Sequence, residues 1–259
     1  MLKKGDKVIV KVGTSTLTYD TGMLNISKIE KLCKVLADIH NRGIKVILVS
    51  SGAVSAGKSK VNFGNDNTIE LKQAAAAVGQ SELMNMYSRN FTPYGHTVAQ
   101  ILLTKDAIDN KERFDHAKKT FELLLDNGVI PVVNENDSVS CEGIKFGGND
   151  ILSAYVAIIT KADLVINLTD VDGLFDSDPR KYQNAKLITT VSNYDEVEKL
   201  CSGAGTKRGT GGMQAKLISA RMAGEAGVPT FVANGENPEI LYDIINGNAK
   251  GTYFVPLKD

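Results

Sequence analysis

Residues 8–54 decide the fold, and they read VIVKVGTSTLTYDTGMLNISKIEKLCKVLADIHNRGIKVILVSSGAV. Two apolar runs, at 8–12 and 46–49, have the length and the β-branched content of buried strands. Between them, apolar residues recur at helical spacing from Ile26 to Ile39, and Gly43 supplies a helix stop signal. A strand, a helix and a second strand in this order predict a βαβ unit with parallel strands.

The same alternation continues to the end of the chain. Further strands are predicted at 98–103, 129–133, 164–168, 230–233 and 253–255, and helices at 69–90, 114–125, 149–160, 212–226 and 238–245. We therefore expect an α/β fold whose largely parallel sheet is covered on both faces. A chain of 259 residues without a linker-like stretch can bury its core as one domain, residues 1–259, in which the long segment 169–210 begins a second lobe or lid.

Composition and charge exclude several kinds of partner. The 30 Lys and Arg residues balance the 30 Asp and Glu residues, which argues against binding to nucleic acid or to an anionic membrane. No stretch approaches the roughly 18 apolar residues of a membrane helix, and the first apolar run is too short for a signal peptide, so we expect a cytoplasmic protein. The three cysteines and three histidines lie far apart in the sequence, which favours free thiols and structural imidazoles over a metal site or a catalytic triad.

The polar segment 131–150, PVVNENDSVSCEGIKFGGND, directly follows an apolar strand pattern. In open α/β sheets, ligands bind at the loops that leave the carboxyl ends of the strands. Residues 134–137 offer acceptors and amide donors that suit a small zwitterion, and the glycines at 147 and 148 allow a ligand to approach the backbone closely. An Asx-rich surface turn is the alternative interpretation.

Two lysines lie next to glycine-rich segments. Lys11 lies inside an apolar strand pattern, just before Gly13, where its ammonium group suits a phosphate. Lys216 follows the run GTGGMQA at 209–215, which leads into a predicted helix, and helix N-termini attract anions. Neither segment has the Walker A order. A solvent-facing lysine and a flexible linker are the respective alternatives.

A third segment, LTDVDGLFDSDP at 168–179, is acidic and turn-forming, and it suits the ribose and base of a nucleotide. An exposed acidic turn is the alternative. The chain thus combines two lysines, an aspartate at a helix start (Asp150), three glycine-bearing loops and no general-base histidine. This combination is typical of phosphoryl transfer, in which positioning and charge neutralisation supply most of the catalysis.

The motifs VKVGTS, VSSGAV, VNENDSV, GGND, LTDVDGLFDSDP and GTGGMQAK, in this order, resemble those of the glutamate 5-kinases in the amino acid kinase family. The resemblance covers nearly the whole chain. It implies a three-layer αβα sandwich that uses ATP and Mg²⁺ to phosphorylate the side-chain carboxylate of L-glutamate, the first step of proline biosynthesis. It also implies a homo-oligomer, dimer or tetramer, and L-proline as a feedback inhibitor. Many members carry a C-terminal PUA domain, an RNA-associated fold, which we do not expect in a chain that ends at Asp259.

The resemblance also implies roles for particular residues. Lys11 and Lys216 would stabilise the transferring phosphoryl group, and Asp150 between them would organise both. Glutamate would be bound within about residues 1–165, by Ser51, Gly52, Asn134, Asp137 and Asn149. ATP would be bound within about residues 166–259, by Thr169, Asp170, Thr210, Gly211, Gly212, Met213, Gln214, Ala215 and Lys216, with Lys11 alongside. No set of protein ligands for Mg²⁺ is expected, because this ion keeps waters and binds substrate phosphates.

Two positions depart from the family pattern, and several rival functions remain open. Many members have an acidic residue in place of Gly148 and a threonine in place of Ala215. An acetylglutamate kinase or an aspartokinase is the nearest rival, although the carboxylate of Asp137 favours a substrate with a free ammonium group. A uridylate kinase would need basic residues for a second phosphate, and residues 51–54 supply none. Loss of Lys11, Asp150 or Lys216 would mark a catalytically silent proline or glutamate sensor, and all three are present.

Overall fold

The computed structural model describes residues 1–19, 21–61, 68–140, 148–177, 179, 182, 184–202 and 210–258. The strands are β1 (Lys7–Val12), β2 (Lys45–Ser50), β3 (Val98–Leu103), β4 (Ile130–Glu135), β5 (Leu164–Thr169), β6 (Leu174–Phe175), β7 (Leu187–Ile188), β8 (Thr190–Val191), β9 (Thr230–Asn234) and β10 (Thr252–Phe254). The helices are α1 (Thr14–Leu17), α2 (Ile26–Asn41), α3 (Ala53–Lys60), α4 (Ile69–Phe91), α5 (Asp106–Asp109), α6 (Lys111–Asp126), α7 (Gly148–Thr160), α8 (Tyr194–Ser202), α9 (Thr210–Glu225) and α10 (Ile240–Asn246).

Eight strands form the central sheet, in the order β3-β4-β2-β1-β5-β9-β10-β8. The first six run parallel to one another, and β10 pairs antiparallel with β9. The chain moves from β1 to β2 on one side and returns to β5 on the other, so β1 lies where the strand order reverses. Ligands bind beside such a reversal, at the carboxyl ends of the strands.

Alternate residues of the inner strands face two separate layers of helices, as the pleat of a strand requires. On one face, Val8 and Val10 of β1 belong to a core that α2, α4 and α10 complete. On the other face, Ile9 belongs to a core with α6, α7 and α9. The expected three-layer αβα sandwich with a largely parallel sheet is confirmed. The alternation also places Lys11, two residues after Ile9, on the side of α7 and α9.

Small residues let α3 and α4 pack closely against each other. A Cβ atom on Gly57 would lie 1.8 Å from the carbonyl oxygen of Ala75, and one on Gly79 would lie 1.8 Å from that of Ala53. Only glycine fits at these two contacts. Because α3 begins directly after the end of β2, this contact fixes α4 next to the carboxyl end of that strand.

One expectation from the sequence needs correction, and another stays a prediction. In the described part of segment 169–210, Val191 and Tyr194 share a buried apolar cluster with α9 and β10, and β8 pairs with β10. That this segment begins a second lobe or lid stays a prediction. Strand β4 runs on to Glu135 instead of ending at Val133, because β3 pairs with it as far as Leu103. The first polar residues of segment 131–150 therefore belong to the sheet and not to a loop. Among the described helices, none is long and apolar enough to span a membrane.

Candidate active site

A cluster of three charged residues lies beside the point where the strand order reverses. The Nζ atom of Lys11 is 2.7 Å from Oδ1 of Asp150, and the Nζ atom of Lys216 is 3.1 Å from Oδ2. We call these three residues the charged cluster. Their exposed fractions are only 5%, 6% and 8% for Lys11, Asp150 and Lys216. Two buried ammonium groups thus share one carboxylate, which leaves the cluster with a formal charge of +1.

Three structural elements bring the charged cluster together. Lys11 lies near the end of β1, and its backbone partner on the adjacent strand β5 is Asn167. Asp150 is in the first turn of α7, where a carboxylate is favoured by the helix dipole. Lys216 is on α9, which packs on the same face of the sheet as α7. The amide of Asn167 completes the cluster, because its Nδ2 donates to Oδ1 of Asp150 at 2.6 Å.

Burial and charge act in opposite directions on the pKa values of this cluster. Burial lowers the pKa of Lys11, and the nearby Lys216 adds to this effect, while Asp150 opposes it. Burial would raise the pKa of Asp150, but the two lysines and the hydrogen bond from Asn167 outweigh it, so this pKa lies below its ordinary value. Asp150 therefore stays ionised at neutral pH and acts as a fixed negative charge between two cations.

Asn149, the residue before Asp150, contacts a different set of partners. Its Nδ2 lies 2.6 Å from the carbonyl oxygen of Ser50, 2.9 Å from Oγ of Ser51 and 3.0 Å from Oδ1 of Asn134. An amide nitrogen has only two hydrogens, so it cannot donate fully to all three oxygens. The Ser51 hydroxyl is the partner that can itself donate, and its proton is the one that can turn towards a ligand.

One backbone group determines the direction of the hydrogen bonds in this region. The N–H of Glu135 donates to Oδ1 of Asn134 at 2.9 Å, so the oxygen of that amide must face the backbone. Nδ2 of Asn134 then donates to Oε1 of Gln80 at 2.9 Å, and Nε2 of Gln80 donates to Oε1 of Gln100 at 3.5 Å. We call the side chains of Gln80, Gln100, Asn134 and Asn149 the amide network.

Helix α4 holds the amide network from one side. Gln80 contacts Asn134 at the end of β4. Tyr87, two turns further along the same helix, shares a 2.7 Å hydrogen bond with Oγ of Ser50 at the end of β2. Both Tyr87 and Ser50 are fully buried. One helix therefore positions the two strand ends that meet at Asn149.

A cavity of about 390 Å³ lies beside the amide network, lined by α4, by β3 and by the segment that follows β4. Gln80, Gln100, Glu135 and Asp137 contribute its polar wall together with Asn136 and two serines. Burial, and secondly the charge of Glu135, raise the pKa of Asp137 to about 6. A cation that enters the cavity would favour the ionised form of this carboxyl group, as an opposite charge does.

The remaining residues named from the sequence lie around these two groups. Ser51 and Gly52 connect β2 to α3, and Gly52 has a φ of 101°, a conformation that L side chains rarely adopt. Gly148 has a φ of 52° at the start of α7, so the acidic residue of many family members would be strained at this position. Residues 141, 145, 147 and 209 lie outside the described residues.

The residues proposed to bind the nucleotide differ in their exposure to solvent. Thr169 is buried at the end of β5, and its hydroxyl donates to Oδ1 of the exposed Asp170 at 3.2 Å. In the first turns of α9, Gly212 and Gln214 are exposed, and Met213 packs partly against the buried cluster of Tyr194 and Phe254. Thr210 and Gly211 also belong to α9. Ala215 is half-buried beside Lys216.

Five residues in this region were missed from the sequence, namely Ser50, Gln80, Tyr87, Gln100 and Asn167. Asn167 carried a usable signal, because a polar side chain inside an apolar strand pattern is the same feature that singled out Lys11. Gln80 and Tyr87 carried none, since the alanine-rich helix α4 has no polar stripe that indicates a site. Their proximity to the strand ends depends on the close packing of α3 and α4, which is a tertiary feature.

Comparison with known proteins shows the family of this chain. The pattern of the amino acid kinase family matches residues 6–234, so the chain belongs to this family. Two relatives that this chain matches along nearly their full length carry the name glutamate 5-kinase. The chain is 48% identical over 263 residues to the glutamate 5-kinase of Clostridium perfringens, covering 99% of this chain and 98% of the relative. It is 49% identical over 257 residues to the glutamate 5-kinase of Clostridium acetobutylicum, covering 98% and 96% respectively.

A solved structure supports the fold independently. The crystal structure of UMP kinase from Bacillus anthracis is similar to 99% of this chain over 98% of its own length, with a TM-score of 0.68 and 21% sequence identity. A sequence identity this low shows a shared fold but does not show a shared substrate. The resemblance to glutamate 5-kinases that the sequence motifs indicated is confirmed by the relatives from both clostridia.

Proposed function

We propose that this chain transfers the γ-phosphoryl group of ATP to the side-chain carboxylate of L-glutamate, forming L-glutamyl 5-phosphate. The observation that carries the proposal is the pair Asn149 and Asp150. These neighbours at the start of α7 join the amide network on one side to the charged cluster on the other. The proposed amino-acid pocket would thereby lie next to a cationic site. The names of the relatives supply glutamate as the substrate.

The acceptor half would bind glutamate as a zwitterion. The ammonium group would enter the cavity and pair with the carboxylate of Asp137, whose raised pKa of about 6 an opposite charge would lower again. The Ser51 hydroxyl and the Asn134 and Asn149 amides would fix the rest of the molecule, and the left-handed Gly52 would let it approach the backbone. An N-acetylated substrate has no ammonium group for this contact, which argues against acetylglutamate.

The charged cluster would perform the transfer by positioning and by neutralising charge. A glutamate side chain has a reference pKa of about 4.3, so its carboxylate is already an ionised nucleophile at pH 7 and needs no general base. Its oxygen attacks the γ-phosphorus, and the bond from that phosphorus to the bridging oxygen of ADP breaks. Lys11 and Lys216 stabilise the charge that develops on the phosphoryl oxygens, and Asp150 holds both ammonium groups in place.

ATP is the donor that membership of a kinase family implies. Thr169, Asp170 and the first turns of α9, residues 210–216, would bind it. In the described part of the chain, no three His, Cys, Asp or Glu side chains form a metal-binding group. Asp150 already accepts from two lysines and an amide. This arrangement fits a Mg²⁺ ion that is held by the phosphates of ATP and by water molecules, and not by a set of protein side chains. When bound, Mg²⁺ supplies further neutralisation of phosphate charge.

The test is an assay for ATP- and Mg²⁺-dependent acyl phosphate formation, trapped with hydroxylamine, over L-glutamate, N-acetyl-L-glutamate and L-aspartate. Glutamate should give the highest kcat/KM. A preference for aspartate or for N-acetylglutamate would overturn the assignment in favour of another amino acid kinase. Absence of acyl phosphate with all three, in a protein that still binds glutamate or proline, would favour the silent sensor.

We also infer that L-proline competes at the glutamate site, since it shares an ammonium and a carboxylate group with glutamate. Asp137 would bind both molecules. Kinetics at several glutamate concentrations measure this: millimolar proline should raise the apparent KM for glutamate and leave kcat unchanged, and an unaffected KM would reject the inference. Three further expectations stay predictions, namely a homo-oligomer, a cytoplasmic location, and a division near residue 165 into glutamate-binding and ATP-binding parts of one domain.

A further inference from the structure

Asn167 is the polar residue inside β5, a buried strand whose residues on either side of it are apolar. Strand β5 has the sequence LVINLT, and all six residues are buried. Asn167 is exposed to only 1%. Its neighbours along the strand, from Leu164 to Leu168, are apolar and belong to the cores on the two faces of the sheet. Core packing alone favours a leucine or an isoleucine at this position.

The orientation of the Asn167 amide follows from its contact with Asp150. The carboxylate of Asp150 is ionised and has only acceptors, so the nitrogen of the amide must face it. Nδ2 accordingly donates to Oδ1 of Asp150 at 2.6 Å. The same carboxylate oxygen accepts from Lys11. The other oxygen, Oδ2, accepts from Lys216. Asn167 and Lys11 are adjacent backbone partners on β5 and β1, so both approach the carboxylate from the sheet.

This orientation leaves the amide oxygen without a partner. Within the described residues, Oδ1 of Asn167 is buried and has no hydrogen-bond donor. A buried acceptor that lacks a donor lowers stability, because it has lost its hydrogen bonds to water. The residue therefore stabilises Asp150 with one end of its amide and destabilises the fold with the other. The contact with Asp150 therefore explains an asparagine at this position, whereas core packing does not.

We propose that Asn167 is a positioning residue for phosphoryl transfer, which holds the carboxylate of Asp150 so that one oxygen faces Lys11 and the other faces Lys216. The inference rests on the proposed function of the charged cluster. Without the amide, the carboxylate has no fixed neutral donor and is free to rotate between the two lysines. The ammonium groups then lose the separation that matches the phosphoryl group, and preorganisation decreases.

The test uses two variants that each remove an unpartnered buried polar atom. Asn167→Leu removes the amide at the site. Thr230→Val is the matched control: Oγ1 of Thr230 is also buried without a partner in the described chain, but it lies at the first residue of the adjacent strand β9, away from the charged cluster. Both variants should raise Tm. Asn167→Leu should lower kcat about 10- to 100-fold, as expected for loss of a hydrogen bond to a charged group, while Thr230→Val keeps the parent kcat.

A second variant and a second measurement keep the test independent of folding and of the substrate. Asn167→Ser removes the contact without added bulk and should lower kcat by a similar factor. In ligand-free protein, carbon NMR of the Asp150 carboxyl group should show a higher pKa in both variants. The groups that face this carboxyl are Lys11 from β1, Lys216 from α9 and Asn167 from β5, and only the last has changed.

Three results would overturn the proposal. One is a parent-like kcat in a folded Asn167→Leu protein. Another is an unchanged pKa of Asp150 in the ligand-free variants. The third is a fall in Tm that accompanies the fall in kcat in both Asn167 variants, which would make the residue purely structural. Failure of the parent protein to form L-glutamyl 5-phosphate would instead remove the proposed function, and the NMR result would still report whether Asn167 positions Asp150.

Discussion

The two halves of the site are built on different physical principles. The charged cluster consists of two cations that share one anion, and its contacts depend mainly on distance. The amide network consists of neutral groups, and its contacts depend on direction, because each amide must present an oxygen to one neighbour and a nitrogen to the next. Asn149 and Asp150 join the two halves at the first turn of α7.

The difference shows what each half needs from the fold. The attraction between two opposite charges depends on their distance more than on their orientation, and burial strengthens it because solvent screens it less. A neutral amide gains about 0.5 to 1.5 kcal/mol from a hydrogen bond, and only in the right orientation. The amide network therefore requires an anchor for its direction, which the backbone N–H of Glu135 supplies, and a supporting helix, which is α4.

The largest expected effect comes from removal of one charge from the cluster. Lys216→Ala should lower kcat on the order of 100 to 1000-fold, because loss of one preorganised charge typically removes that much transition-state stabilisation. The KM for glutamate should change little. Steady-state kinetics with both substrates measure this. The control is Lys111→Ala, which removes an exposed lysine of α6 whose partner is Asp115, and it should leave kcat within a factor of two of the parent, by the small contribution of surface ion pairs.

Near-parent kcat in a folded Lys216→Ala protein would remove this residue from the catalytic set. It would also weaken the contrast between the two halves, since the charged cluster would then owe its function to Lys11 alone. A large rise in the KM for glutamate without a change in kcat would place Lys216 in the amino-acid pocket instead.

The next effect should come from the carboxyl group in the cavity. Asp137→Asn removes the charge that would pair with the ammonium group of glutamate, and it preserves the shape of the side chain. A hydrogen bond to a charged group contributes about 1.5 to 3 kcal/mol, so the KM for glutamate should rise roughly 10 to 150-fold with little change in the KM for ATP. Asp126→Asn, on an exposed aspartate paired with Lys45, is the control. A rise in both KM values together with a lower Tm would make Asp137 a loop-capping residue.

Much of the charged cluster was accessible from the sequence, because strand alternation and helix starts are local signals. Lys11 interrupted an apolar strand pattern at the position where the strand ends, and Asp150 and Lys216 followed glycine-rich segments that lead into helices. The α/β class and the parallel sheet followed from the repeated order of strands and helices. These features depend on residues that are close in sequence, which is why a pattern was sufficient to predict them.

Asn134 and Asn149 of the amide network were predicted, but their partners Gln80 and Gln100 were not, because the contacts join residues far apart in sequence. Gln80 lies 54 positions from Asn134, and Tyr87 lies 37 positions from Ser50. The helix that carries both had alanine-rich composition and no amphipathic stripe that indicates a site. The end of β4 was also misplaced, since pairing with β3 extends the strand into polar residues. Tertiary packing, and not local preference, determined these positions.

The pH dependence of glutamate use should also distinguish the two halves. The pKa of Asp137 is raised to about 6, so the ionised form that binds an ammonium group decreases as pH falls through this value. The kcat/KM for glutamate should therefore fall about tenfold per pH unit below roughly pH 6, while Asp150, whose pKa is lowered, stays ionised there. The Asp137→Asn variant should lose this acid limb. An identical limb in the variant and the parent would assign the titration to another group.

The smallest expected effect tests the support that α4 gives to the amide network. Tyr87→Phe removes one neutral hydrogen bond, to Oγ of Ser50, and leaves the ring in its fully buried position. Loss of this hydrogen bond, which contributes about 0.5 to 1.5 kcal/mol, should leave the Ser50–Ser51 segment less well positioned. The KM for glutamate should therefore rise about twofold to tenfold. The KM for ATP should stay constant, because the nucleotide residues are on β5 and α9.

The control is Tyr194→Phe, which removes the hydroxyl of another buried tyrosine that donates to the carbonyl oxygen of Val255. That variant should lower Tm by a similar amount without a change in the KM for glutamate. If both variants give the same KM values as the parent, α4 only scaffolds the site, and the direction of the amide network must depend on the backbone of β4 alone.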